Sequence, residues 1–117
     1  MGHKIFPKNF DTFYNDLLRE LAKVNSINTM TMNKENKVKI ENCNIYVATN
    51  KSKPTYNEIP LKFIKKTYEE LLKNKEVTQS HLLETLYVKR SAFIMSAFSL
   101  LDYITYDKNK NSLKINK

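Results

Sequence analysis

The chain has 117 residues, enough for one domain or one domain with a small extension, and its 41% hydrophobic content argues against wholesale disorder. No apolar run approaches the roughly 18 residues of a membrane span, and no signal-peptide core opens the chain. A single cysteine excludes an internal disulfide, a single glycine leaves no phosphate-cradling loop, and a reducing, cytoplasmic setting is expected.

The net charge of +8 is unevenly distributed. Residues 1–50 hold seven basic and five acidic side chains, whereas residues 51–117 hold thirteen basic and seven acidic ones. The carboxyl-terminal half therefore carries most of the excess, as a phosphate-facing surface requires. With glycine nearly absent, turns needing positive φ are expected to fall on the fourteen asparagines.

In chain order, Phe10, Phe13, Tyr14, Leu17, Leu18, Leu21 and Val24 recur at three- and four-residue steps and predict an amphipathic helix. Asp11 falls in its first turn, where a carboxylate suits the helix dipole. The stripe is wide, which leaves two uses open: packing within the chain, or a homodimer formed through this N-terminal helix. From Ile27 to Thr49 the period changes to two. Met30 with Met32, Val38 with Ile40 and Ile45 with Val47 predict a three-stranded antiparallel meander, with turns at Asn33–Asn36 and Asn42–Asn44. A lone meander is marginal, so the first helix is expected to cover it. Lys51–Thr55 reads as a basic linker, and the division expected is 1–52 and 53–117.

A second amphipathic helix follows Pro60, with Leu61, Ile64, Tyr68, Leu71 and Leu72 as its stripe. Glu76-Val77 reads as a short strand, and Thr78 as the N-cap of a helix reaching Leu86. A turn at Tyr87–Arg90 leads to a further helix from Ser91 to about Leu101, buried along Ile94, Ala97, Phe98 and Leu101. Ala92, Met95, Ser96 and Ser99 form the opposite, low-profile face expected to be free. Tyr103–Tyr106, a polar loop and Leu113–Ile115 predict a β-hairpin. The fold class expected is α+β.

The order of these elements from Ile59 to Ile115 resembles a winged helix-turn-helix domain. That resemblance implies duplex DNA as the partner, the helix from Ser91 as the one entering the major groove, and the hairpin as the wing. It places Lys89, Arg90, Ser91, Met95 and Ser96 against DNA, with Lys108 and Lys110 of the wing reaching phosphate or minor groove. The role expected is that of a small regulator, or of an accessory factor in a plasmid or phage nucleoprotein complex. Two alternatives are a protein-interaction module and the targeting domain of a larger nuclease. Tyr46, Tyr56 and Tyr106 read chiefly as strand-edge packing and secondarily as stacking platforms for bases.

Catalytic readings find little. Glu35-Asn36-Lys37 matches half of a metal-dependent nuclease motif without its Pro-Asp partner, and sits where a hairpin turn is expected. His81 has no Cys or His companions for zinc and no Ser-His-Asp arrangement. Cys43 lacks a basic activator. No catalytic residue, metal, cofactor or small-molecule ligand is therefore expected.

Overall fold

The computed structural model describes residues 5–24, 26–28, 35–48 and 56–116. It is a mixed α+β fold with two antiparallel sheets.

Helix α1 (Phe10–Ala22) starts at Asn9, whose side chain accepts from the Thr12 amide at 3.2 Å. Its periodic stripe is consumed inside the chain. Phe13, Leu17 and Leu21 are buried, and Phe10, Tyr14 and Leu18 pack on the same core.

The first sheet has the order β1 (Ser26–Asn28), β2 (Glu35–Glu41), β3 (Asn44–Ala48) and β4 (Asn57–Glu58). It differs from the expected meander in three ways. The fourth strand comes from beyond the linker, and the first is Ser26–Asn28. Glu35-Asn36-Lys37 lies within β2 rather than in a turn, with Asn36 facing the core at 3% exposure. The expected Met30–Met32 strand, much of the Asn33–Asn36 turn and the linker 51–55 lie outside the described residues. The β2–β3 turn matches expectation: Asn42 and Cys43 both take positive φ, as a two-residue type I′ hairpin turn demands.

Helix α2 (Leu61–Asn74) ends at Lys75 in the left-handed region. Strand β5 (Glu76–Thr78) follows, then α3 (Gln79–Glu84), α4 (Ser91–Phe98), β6 (Ile104–Asp107) and β7 (Ser112–Ile115). These strands form the second sheet in the order β5-β7-β6. Helix α3 is shorter than the expected span to Leu86, because Thr85 and Leu86 both donate to the His81 carbonyl and the chain turns. Helix α4 stops at Phe98, where Leu100 and Leu101 tighten into i→i−3 bonds.

The main correction concerns α4. The free face expected at Met95 and Ser96 does not exist: they are 2% and 1% exposed, and Ser91 is 3% exposed. Alternate faces of this helix are both covered, because it packs against α1 and β1 as well as α3, β6 and β7. Its residues are apolar or small all round, which is the composition of a central helix rather than a surface one. Ser91, Met95 and Ser96 therefore cannot reach a DNA groove in this fold.

Residues 1–52 and 53–117 share one hydrophobic cluster, which contains Phe13, Leu17 and Val47 together with Tyr68, Ile94, Phe98 and Leu113. The contact between Phe13 and Phe98, with centroids 4.9 Å apart, joins the two segments. Tyr103 donates to Asp16 at 2.8 Å, and Tyr14 donates to the Cys43 carbonyl at 2.8 Å.

Two outcomes test this packing. Phe13→Ala should lower unfolding free energy by about 3–5 kcal/mol. Far-ultraviolet dichroism and tyrosine fluorescence should shift together, in one transition. Burial, then the charges of Cys43 and Glu58, raises the Tyr14 pKa from 10.0 to about 12. Burial and the bond to Asp16 push Tyr103 upward as well. A raised folded value favours the protonated native state, so this contribution is complete below pH 10 and lost as pH rises toward about 12. Denaturant midpoints should fall across that window, and Tyr14→Phe with Tyr103→Phe should flatten the fall.

Candidate nucleic-acid interface

The body of α4 is closed and its first residue, Ser91, is buried, but the turn that leads into it is exposed. The turn from Leu86 to Arg90 brings the chain back to the surface, with Tyr87 at φ 54° and Arg90 at φ 63°. Arg90 is the N-cap of α4 and makes no side-chain capping bond, so the first amides of the helix have no side-chain acceptor from that residue. Left-handed geometry at two residues that are neither Gly nor Asn costs about 1–2 kcal/mol each. The surrounding bonds hold it: Val88 N donates to Leu82 O at 2.8 Å, and Lys66 Nζ to Leu86 O at 3.1 Å.

Gln79, the first residue of α3, joins this turn to the hairpin. Its Nε2 donates to Ser91 Oγ at 3.1 Å, and its Oε1 accepts from Asn111 Nδ2 at 2.7 Å. Its backbone amide donates to Asn111 O at 3.0 Å. Asn111, at φ 51°, accepts from the Tyr106 hydroxyl through Oδ1 at 2.6 Å. The start of α4, the start of α3 and the hairpin tip thus form one hydrogen-bonded chain, Ser91–Gln79–Asn111–Tyr106. The tip is shaped further by Asp107, whose Oδ1 accepts from the amides of Asn109 at 2.9 Å and Lys110 at 3.2 Å.

This chain of bonds sorts the residues expected from sequence. Lys89 and Arg90 lie at one end of it, and Lys108 and Lys110 at the other. Among the described residues, Lys89, Arg90 and Lys108 form no ion pair, and Lys110 has only Glu76 at 3.9 Å. That contact is long, and its lysine is 60% exposed, so it constrains little. Ser91 belongs to the scaffold instead, as the acceptor for Gln79, while Met95 and Ser96 belong to the core.

Sequence reasoning did not single out Gln79 and Asn111, because a glutamine opening a helix and an asparagine in a loop carry no distinctive pattern. It also passed over Lys66, which sits against the turn only once α2 and α3 are packed. Of the tyrosines considered for stacking, Tyr56 has Lys39 Nζ 5.3 Å above its ring, and Tyr106 is tied to Asn111. Tyr46 is half-buried in β3.

Behind the hairpin lies an open cleft of about 440 Å³, lined by Glu70, Glu76, His81 and Lys110 among others. Its groups satisfy one another. His81 Nε2 is 3.0 Å from Glu70 Oε2, Asn74 donates to the same carboxylate, and Ser112 donates to Glu76 at 2.9 Å. Among the described residues no group of His, Cys, Asp and Glu is arranged to hold a metal ion. No described helix is long and apolar enough to cross a membrane.

Replacing Gln79 by Ala should cost about 1–3 kcal/mol by stranding its partly buried partners. Amide exchange should accelerate selectively across residues 107–112, measured against α1 as an internal control.

Compared with known proteins, the chain matches no family model, no curated protein and no solved structure.

Proposed function

We propose that this chain is a non-enzymatic, cytoplasmic module of winged helix-turn-helix type that binds duplex DNA through its phosphates. The architectural part of the reading is supported by the run α2, β5, α3, α4, β6, β7 with sheet order β5-β7-β6, a helix-strand-helix-helix-hairpin sequence. The observation that carries the function is the Ser91–Gln79–Asn111–Tyr106 chain of bonds. It holds Lys89 and Arg90 beside the amino end of α4, and Lys108 and Lys110 on the adjoining hairpin tip.

In this mechanism the protein does not insert a helix. Coulomb attraction captures the duplex, and each lysine that neutralises a phosphate releases condensed counterions. The dipole of α4 adds a favourable field at the same place. With no side chain from the helix centre at base edges, selectivity would follow duplex shape rather than direct readout.

A second reading is a protein-interaction module. The cover that α1 and β1 place over α4 favours it, since the element that would read the groove has become core. The two differ in salt response. For a phosphate binder the logarithm of the affinity falls linearly with the logarithm of salt concentration; a protein-binding module has little affinity for DNA at any salt.

The test is titration of labelled random duplex across a salt series. Lys108→Ala with Lys110→Ala should weaken binding to all sequences and reduce the log–log slope by about 1 per lysine. Lys89→Ala with Arg90→Ala should do the same. Met95→Leu, a change inside the core, should leave the slope unaltered. No salt-sensitive binding by the wild type, or unchanged slopes in both double variants, would refute the DNA reading.

A further inference from the structure

Among the described residues, Leu83 at 49% and Tyr87 at 72% exposure are large apolar side chains displayed around the α3–α4 turn. Tyr87 is also the most exposed tyrosine in the molecule. Its backbone is left-handed, a region that the hairpin turns fill with Asn42 and Asn111. A bulky aromatic residue is disfavoured there, so the turn would form more readily with asparagine at this position. Among the described residues, the ring is neither buried nor paired with another ring, so the packing described above does not explain its presence.

Three cations belong to the same turn region. Lys66 is fixed beside the turn by its bond to the Leu86 carbonyl at 3.1 Å, and Lys89 and Arg90 follow within three residues. Glu84 is the single acid between Gln79 and Arg90. Among the described residues, none of these three cations is in an ion pair. An exposed ring in a turn that also carries cations fits a polyanion with flat rings of its own. In the interior of a continuous duplex every base face is covered by its neighbours. An overhang or a bulge leaves one open, and stacking on it tolerates any sequence.

Resting on the nucleic-acid reading above, we propose that Tyr87 stacks on an unpaired base while Lys66, Lys89 and Arg90 hold the phosphates beside it. The preferred ligand is then a duplex with an interrupted stack, not a continuous one.

Fluorescence anisotropy should compare a short duplex with the same duplex bearing a single-stranded overhang. Wild type should bind the overhang form at least about fivefold tighter, and Tyr87→Asn should reduce that affinity by about tenfold. Continuous-duplex affinity should change by less than about twofold, and Tyr87→Phe should keep the preference. Thermal melting should show Tyr87→Asn no less stable than wild type, since asparagine tolerates the left-handed backbone. Equal wild-type affinity for both ligands would overturn the proposal, as would a Tyr87→Asn variant that keeps the preference or weakens both complexes in parallel. Equal affinities that still fall steeply with salt would remove stacking alone and leave phosphate binding standing. Absence of binding to either ligand would remove both.

Discussion

The structure depends on α4 being surrounded. Phe98 meets Phe13 of α1 at 4.9 Å, Phe13 meets Tyr68 of α2 at 4.8 Å, and Phe6 lies 5.3 Å from Tyr68 and 5.7 Å from Tyr103. Rings of this size bury more area than any other side chains, and tilted or edge-on contacts add to that burial. Because the cluster draws on the amino-terminal segment, α1, α2, α4 and the approach to β6, neither half of the chain can bury its apolar surface alone. The polar ends of the cluster are satisfied: the Tyr68 hydroxyl donates to Pro7 O at 2.7 Å, and Tyr103 donates to Asp16.

The same constraint moves chemistry to the periphery. A helix whose faces are both packed can offer a ligand only its end, and the amino end of α4 is where Lys89, Arg90 and the hairpin tip converge. Gln79 is the joint: one side-chain amide serves Ser91 and Asn111 at once. A partly buried amide with both functions satisfied fixes geometry tightly, since losing either partner strands a polar atom. The carboxylates nearest the hairpin are occupied in turn, Glu70 by His81 and Asn74, Glu76 by Ser112.

Glycine scarcity gives the turns their character. Among the described residues, six non-glycine residues take positive φ. Asn42 and Asn111 follow the expected chemistry, and Cys43 shares the β2–β3 hairpin turn. Lys75 closes α2, where a left-handed residue at a helix end lets the backbone satisfy its last carbonyls. Tyr87 and Arg90 fit neither pattern, and both stand in the surface turn that leads into α4.

Much of the fold was legible in the sequence, because periodicity is local. The stripe from Phe10 to Leu21, the alternation of Val38, Ile40, Ile45 and Val47, and the approximate positions of the four described helices follow from side chains repeating at the spacing of their own element. The charge excess of residues 51–117 was equally open to reading; in the structure Lys89, Lys108 and Lys110 are exposed and Arg90 is half-buried. The faces of α4 were not legible. Met95 and Ser96 suit a groove or a crowded interior equally well, and only the arrival of α1 and β1 decides between them. Strand β4 and the Gln79–Asn111 bond were hidden for the same reason, since each needs a partner far away in the chain. Local pattern determines which residues want burial; the packing of distant segments determines which surfaces are left for anything else to touch.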